Sequence, residues 1–367
     1  MVGYKKKLSN LYKSIIYRIF KLIYGKINSS VDANGEDIKL EKIKISKSEY
    51  KIYSCHKSKL YTDRIHDTAI IKHNSIIRGP SFQYRNNKNV DCELNVVFSK
   101  GTPYIKKKLN GTVLSLLIGG GGNSNYWHWL FDVLPKLFIF QSSKFYKNNI
   151  DYYLFPSLDE KFQNETLDVL DIKRIKRLSS KSYRHIEADN IILTSHPYAF
   201  LNDPSKDSLN IPKWIFEFLK KNFLMNNIKQ NINDKKYSKK IYISRKDGTS
   251  LRYIINEKEV CEKLKEHNFE EIILSNHSIS DQVKIFYNAD FIAGLHGAGF
   301  ANIIFCKPKT KILELRPSTA GDVIKNIAIS NSLDYRDITV KAKSIDHNNQ
   351  TGDIEVNLKD LENKLLI

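Results

Sequence analysis

Asp290–Glu314 reads DFIAGLHGAGFANIIFCKPKTKILE, and the fold turns on it. A short apolar strand, Phe291–Ala293, runs into Gly294-Leu295-His296-Gly297-Ala298-Gly299. A short amphipathic helix, a Lys-Pro-Lys turn and a second apolar strand ending in Glu314 complete the stretch. A strand–turn–helix unit of this kind directs backbone N–H groups and the positive end of a helix dipole at one point, where an anion can sit. Glycines also serve tight turns, so the turn alone is a weak sign of phosphate binding.

The same alternation extends outward. Ile241–Ser244 reads as a strand, Glu257–Glu266 as a helix, Glu271–Leu274 as a strand and Ser280–Tyr287 as a helix. Beyond the opening stretch come a helix over Asp322–Ser330 and a last strand over Asp334–Val340. Strands and helices alternating at short intervals predict a doubly wound parallel sheet, with ligands at the carboxyl ends of its strands. Ser244-Arg245, the His296–Gly299 turn and Glu314 should therefore converge.

Upstream, Met225–Lys240 (MNNIKQNINDKKYSKK) is polar and low in complexity, and marks a boundary. Residues from about 36 to 118 read as short strands joined by polar turns, among them Ile38–Ile45, Thr68–Lys72, Cys92–Phe98 and Thr112–Ile118. Gly119–Gly122 interrupts the chain before an aromatic helix, Tyr126–Phe140. The sequence thus divides into an N-terminal helix (1–27), an α/β domain (28–224), a linker (225–240), a Rossmann-like domain (241–345) and a terminal tail or helix (346–367).

Two further constellations carry chemistry. In Asn125-Tyr126-Trp127-His128-Trp129-Leu130-Phe131-Asp132, His128 and Asp132 are four apart and share a helix face, with Asn125 three residues before His128. Such a group is either a polar pair satisfying itself in a core or a cluster presented at a cleft, with aromatics suited to stacking on a sugar. Pro135 predicts a kink or an end to the helix. Arg245 at a strand end, with Lys246 and Arg252 after it, suits a pyrophosphate. Glu314 is placed either to accept from ribose hydroxyls or to pair with Arg316, and His296 either to donate to a phosphate oxygen or to cap its turn.

Composition narrows the partners. Lys and Arg number 59 against 40 Asp and Glu, a net charge of +19, which favours anionic partners. The basic residues are spread along the chain and no nucleic-acid module is recognisable, so nucleic acid is not the expected partner. Four scattered cysteines form no C-x-x-C pair and fit a reducing compartment. No Asp-x-Asp, P-loop or H-E-x-x-H occurs, so no metal site is expected. No apolar run reaches the ~18–20 residues needed to span a bilayer, and Lys13, Arg18 and Lys21 break any signal-peptide core, so cytoplasmic retention is predicted. Residues 4–26 nevertheless form an amphipathic helix: Leu8, Leu11, Tyr12, Ile15, Ile19, Leu22 and Ile23 make an apolar stripe beside lysines and an arginine. That pattern suits either an anionic membrane surface or docking on protein.

Taken together, NYWHWLFDVLPKL (Asn125–Leu137), ISRKDG (Ile243–Gly248), Asn256-Glu257, Ser275 through Asp281-Gln282, GLHGAGFANIIF (Gly294–Phe305) and ILELRP (Ile312–Pro317) resemble glycosyltransferase family 61 over roughly Gly119 to Pro317. The resemblance implies a GT-B-like α/β architecture, two Rossmann-like domains facing across a cleft, and inverting transfer from a nucleotide sugar without a cofactor or obligatory metal. It places Arg245, Arg252, His296, Gly297, Ala298, Gly299, Asn302 and Glu314 on the donor side. Asn125, His128, Trp129 and Asp132 would face the reacting sugar and acceptor, with Asp132, or His128 oriented by Asp132, as the base. Family members often carry paired arginines where this chain has Arg252-Tyr253. The implied acceptor is a glycan or lipid-linked oligosaccharide of a bacterial surface polysaccharide, met on the inner face of the cell membrane. Other readings are a different nucleotide-dependent transferase, an inactive sugar-binding relative and, last, a basic nucleic-acid-binding protein.

Overall fold

The computed structural model describes residues 2–85, 88, 89, 92–199, 201, 203–225, 237–248, 252–342 and 352–366. The chain is α/β and forms two compact units, Met1–Asp207 and Ser208–Ile367. The division falls ahead of the boundary expected at 225–240, most of which lies outside the described residues. Its cause is the helix Lys213–Leu219, whose buried face (Trp214, Ile215, Phe216, Phe218, Leu219) belongs with the second unit.

The first unit opens on the helix Val2–Tyr24. Its later turns rest on the protein: Lys21 Nζ donates to Ser99 O, and the Tyr24 ring meets His185 edge-on at 4.9 Å. Ile16, Tyr17, Phe20 and Tyr24 are half-buried, whereas Leu8, Leu11, Tyr12, Ile15, Ile19, Leu22 and Ile23 are exposed. The apolar stripe is thus a different face from the one that docks.

One large sheet follows. Its strands are β1 (Ser29–Val31), β2 (Ile38–Ile45), β3 (Ser48–Thr62), β4 (Asp67–Lys72), β5 (Ser75–Ile77), β6 (Phe82–Arg85), β7 (Lys88–Asn89), β8 (Lys107–Ser115), β9 (Tyr152–Phe155), β10 (Arg177–Ser179) and β11 (His185–Thr194). Four of them run parallel in the order β11-β8-β9-β10. The long strand β3 joins β11 antiparallel and carries β2 and β4 on from there. The region before residue 110 is therefore a mainly antiparallel extension of a parallel sheet, with β1 parallel to β5 at its edge. Cys92–Phe98, expected as a strand, is instead a short 3₁₀ turn and the helix Val96–Lys100, started by Asn95, whose side chain accepts from Val97 N at 3.2 Å.

The second unit holds a fully parallel five-stranded sheet: β12 (Lys240–Ser244), β13 (Glu270–Ile273), β14 (Phe291–Leu295), β15 (Lys311–Pro317) and β16 (Asp334–Val340). Their spatial order is β13-β12-β14-β15-β16. Helices Glu257–Glu266, Ile279–Asn288 and Val323–Ser330 connect them, as the alternation predicts. After β14 the chain takes a 3₁₀ helix, Ala298–Phe305, nearly all of it buried. The terminal helix Leu358–Leu366 buries Leu361 and Leu365 in the same core as Tyr242, Val260 and Leu264. Asn256 pins this terminal segment by bonds to Val356 O (2.8 Å) and from Val356 N (2.9 Å).

Candidate active site

Each sheet reverses its winding once, and each reversal collects polar residues. In the second unit the reversal lies between β12 and β14, the position where doubly wound sheets bind ligands. Arg245 leaves the end of β12 and its Nη1 donates to His296 O, just past β14, at 2.7 Å. Arg252 donates from its own Nη1 to the same carbonyl at 2.9 Å. Two guanidinium groups thus share one neutral oxygen. Arg252 is only 5 % exposed and its Nε has no partner among the described residues. Burial, with Arg245 beside it, pulls the Arg252 pKa down to about 10. Arg245 is lowered by burial as well. A buried pair of cations turned on one neutral oxygen has capacity left for an anion.

The glycine turn supplies the room. Gly297 is extended, and a Cβ there would press on the end of the Arg245 side chain. Glycine at this position leaves room for the guanidinium; it is not needed for backbone freedom. Gly297, Ala298 and Gly299 remain partly accessible.

Behind the turn, His296 Nδ1 bonds Glu314, and Tyr335 donates its hydroxyl to Glu314 Oε2 at 2.6 Å. Burial lowers the His296 pKa, against the opposing pull of Glu314. Glu314, expected to receive ribose hydroxyls, is 0 % exposed and both its oxygens are engaged, so it orients His296 instead. Arg316 pairs with Asp322 at 2.8 Å rather than with Glu314. Asn302, expected to contact the donor, is wholly buried and donates to Gln282 Oε1 at 2.9 Å, holding the 3₁₀ helix to its neighbour.

In the first unit the reversal lies between β8 and β11. Gly119–Gly122 leaves β8 and turns into the helix that begins after Asn125, whose Oδ1 accepts from Trp127 N (2.9 Å) and His128 N (3.4 Å). The sequence suggested a kink or end at Pro135. The helix instead runs through to Gln141, because Trp129–Val133 widens to a π-turn in which Leu134 N donates to Trp129 O at 3.1 Å. The turn absorbs the missing proline N–H, and such turns recur at functional sites.

On that turn sits Asp132. His128 Nδ1 bonds Asp132 Oδ2 at 2.7 Å, Tyr198 donates its hydroxyl to Oδ1, and His196 Nε2 lies 3.7 Å from Oδ2. His196 Nδ1 accepts from Tyr198 N (3.2 Å) and Ala199 N (3.1 Å), which leaves a proton on Nε2, facing the carboxylate. Burial alone would raise the Asp132 pKa. The charges and hydrogen bonds of His128 and His196 outweigh it and hold the carboxyl well below the usual range. For His128 burial works downward, but Asp132 outweighs it and the pKa rises above its ordinary value. The Asp132 carboxylate is buried, whereas the His128 side chain is 41 % exposed. Gly121 lies against that ring, where a Cβ would fall 2.8 Å from His128 Cδ2.

Trp129, expected toward an acceptor, is 0 % exposed and donates its indole N–H to Thr166 Oγ1 at 2.8 Å; it is core. His196 and Tyr198 were not legible as site residues, since they follow β11 in a loop without a motif. The turn between β3 and β4 also reaches this region: Ile65 O accepts from Gly120 N at 2.9 Å and Arg64 O from Asn123 Nδ2 at 2.9 Å.

The profile of a family described as Glycosyltransferase 61 matches residues 126–313, more than half of the chain. No curated protein matches it.

Proposed function

We propose, from the premise that the chain belongs to glycosyltransferase family 61 and is a glycosyltransferase, that it transfers a sugar from a nucleotide diphosphate to a glycan hydroxyl with inversion at the anomeric carbon. The observation that carries this reading is the dyad: His128 commits Nδ1 to Asp132 and leaves Nε2 to a substrate. Nε2 takes the proton of the acceptor hydroxyl as its oxygen bonds to the anomeric carbon. The bond from that carbon to the diphosphate oxygen breaks, and the nucleotide leaves with the electron pair. Asp132, kept ionised by His128 and His196 and accepting from Tyr198, balances the imidazolium that forms.

Arg245 and Arg252, with the backbone of the Gly297–Gly299 turn, would meet the charge on the departing diphosphate. On this reading the leaving group needs no metal. The division of labour is of the GT-B kind: the second unit binds the donor and the first supplies the base. A screen of nucleotide sugars tests it. One donor should raise the melting temperature in proportion to ln(1 + [L]/Kd) and undergo slow hydrolysis without an acceptor. Stabilisation without any turnover would favour an inactive sugar-binding relative, and no stabilisation by any nucleotide sugar would end the donor reading.

The exposed stripe of the first helix supports a second part of the proposal, an anionic membrane surface as the place of action. The docked face is occupied by the protein itself, the stripe is not, and the helix carries Lys13, Arg18 and Lys21 around it. Among the described residues no helix is long and apolar enough to cross a membrane, so the fitting geometry is a helix lying in the interface. A lipid-linked acceptor of surface polysaccharide synthesis would be met there. Replacing Leu11, Ile15 and Ile19 together with aspartate should reduce co-sedimentation with phosphatidylglycerol-containing vesicles by roughly tenfold or more while leaving donor binding intact. Unchanged sedimentation would remove the membrane from the proposal.

A further inference from the structure

The helix bearing His128 and Asp132 carries one more charged group on its buried side. Lys136 lies four residues beyond Asp132, is 4 % exposed, and donates from Nζ to Thr194 O, at the end of β11, at 2.9 Å. Thr194 Oγ1 is buried there with no partner among the described residues. Two residues past Thr194 comes His196, and two further comes Tyr198, the two groups that reach Asp132. The helix therefore grips the same strand exit at two points: the carboxylate at 132 accepts and the ammonium at 136 donates. Strand β3 steadies the exit from its other side. Tyr50 donates its hydroxyl to Pro197 O at 3.0 Å, and Ser195 N donates to Lys51 O at 2.8 Å.

A buried ammonium is costly to keep, and an apolar side chain of equal length would fill the space without that cost. Resting on the transferase reading, we propose that Lys136 is a positioning residue: it fixes the exit of β11 so that Tyr198 and His196 meet Asp132, and through Asp132 it sets the basicity of His128. The charged group that acts on it is Asp132 on its own helix; His196 and Tyr198 on the strand exit and Tyr50 and Lys51 on β3 bond the same segment. Burial pushes the Lys136 pKa down to about 7, against the opposing pull of Asp132. As pH rises through that value the ammonium loses its charge, its hold on Thr194 weakens, and activity should fall on the alkaline side.

Lys136→Met keeps the length and removes the donor. The expected result is a kcat lower by roughly 10- to 100-fold, the range for loss of one charge-assisted hydrogen bond, with the KM for the donor unchanged and the alkaline limb near pH 7 gone. Lys136→Arg, which restores a cationic donor, should recover part of the rate. Folding is read separately. The folded pKa lies below the unfolded value of about 10.4, so the native state binds fewer protons between the two and wild-type stability rises with pH across that window. Lys136→Met should lack this rise and melt higher than wild type below pH 7. Histidine-resolved NMR supplies a readout independent of turnover: the variant should lose the single Nε2–H tautomer of His196 and shift the titration of His128. A variant with wild-type kcat, alkaline limb and histidine spectra overturns the proposal. If the wild-type protein turns over no nucleotide sugar, the transferase reading fails, while the histidine spectra still decide the positioning role.

Discussion

Asp132→Asn is expected to lower kcat by on the order of 10³- to 10⁴-fold, the range found where a buried aspartate orients a catalytic histidine. Donor affinity should stay within a factor of about two, because every arginine and glycine proposed for the donor lies in the second unit. The size follows from tautomer chemistry. An asparagine amide can present its N–H₂ to His128 Nδ1, which then accepts and sends the proton to Nε2, where the acceptor hydroxyl needs a lone pair. Tyr198 would meanwhile donate to a neutral oxygen in place of a carboxylate, and His196 Nε2, which faces the same atom as His128, would meet the amide N–H₂. The acid side provides a second check. The folded pKa of Asp132 is depressed, so its contribution to stability is fully present above the unfolded value near 3.9 and is lost as pH falls through the folded value. The asparagine variant should lack that part of the acid destabilisation. Initial rates with donor-binding calorimetry decide the matter, and a variant within tenfold of the wild-type rate takes Asp132 out of the reaction.

Arg245→Ala should weaken nucleotide-sugar binding by roughly 30- to 1,000-fold, corresponding to about 2–4 kcal/mol for a charged hydrogen-bonding partner removed from a desolvated anion site. Two effects add. The diphosphate loses one of two guanidinium groups, and Arg252 loses the neighbour that crowds it. Relief of that crowding should let the Arg252 pKa climb back, since Arg245 is part of what depresses it. The His128 site should be untouched. Calorimetry with the intact donor, the nucleoside diphosphate and the free sugar separates the contributions: the first two should lose affinity together and the third should not change. Equal affinity of wild type and variant for the diphosphate would place the anion elsewhere.

The second unit was legible because its sequence is periodic. Apolar strands and amphipathic helices alternate there without interruption, and the parallel five-stranded sheet follows the expected order of elements. Arg245 and His296 could be named because both stand where strands end. Burial was not legible to the same degree. Glu314 and Asn302 look like ligand-binding residues in the sequence, yet each is consumed by a neighbour that only the packing reveals, Tyr335 and His296 for the one and Gln282 for the other. Trp129 misleads in the same way, since a tryptophan beside a histidine reads as a stacking platform until the π-turn rotates it into the core. His196, Tyr198 and Lys136 reach Asp132 or the loop behind it by way of β11, roughly sixty residues downstream of the helix. No local pattern encodes that adjacency. Strand β3, fifteen residues long and dotted with lysines and serines, likewise hides its role in flanking β11.

The glycine turn after β14 and the π-turn after β8 each sit at the winding reversal of their own sheet, with every stabilising bond drawn from the same unit. Descent with modification can therefore act on the two halves separately. On the proposed reading, substitutions around Thr194–Tyr198 or the Asp63–Asp67 turn would alter which hydroxyl is glycosylated while the arginine pair is inherited unchanged. Drift in the loops after β12 and β15 can exchange one nucleotide sugar for another without disturbing the imidazole. On the proposed reading, a lineage built on this plan would change donor and acceptor one specificity at a time.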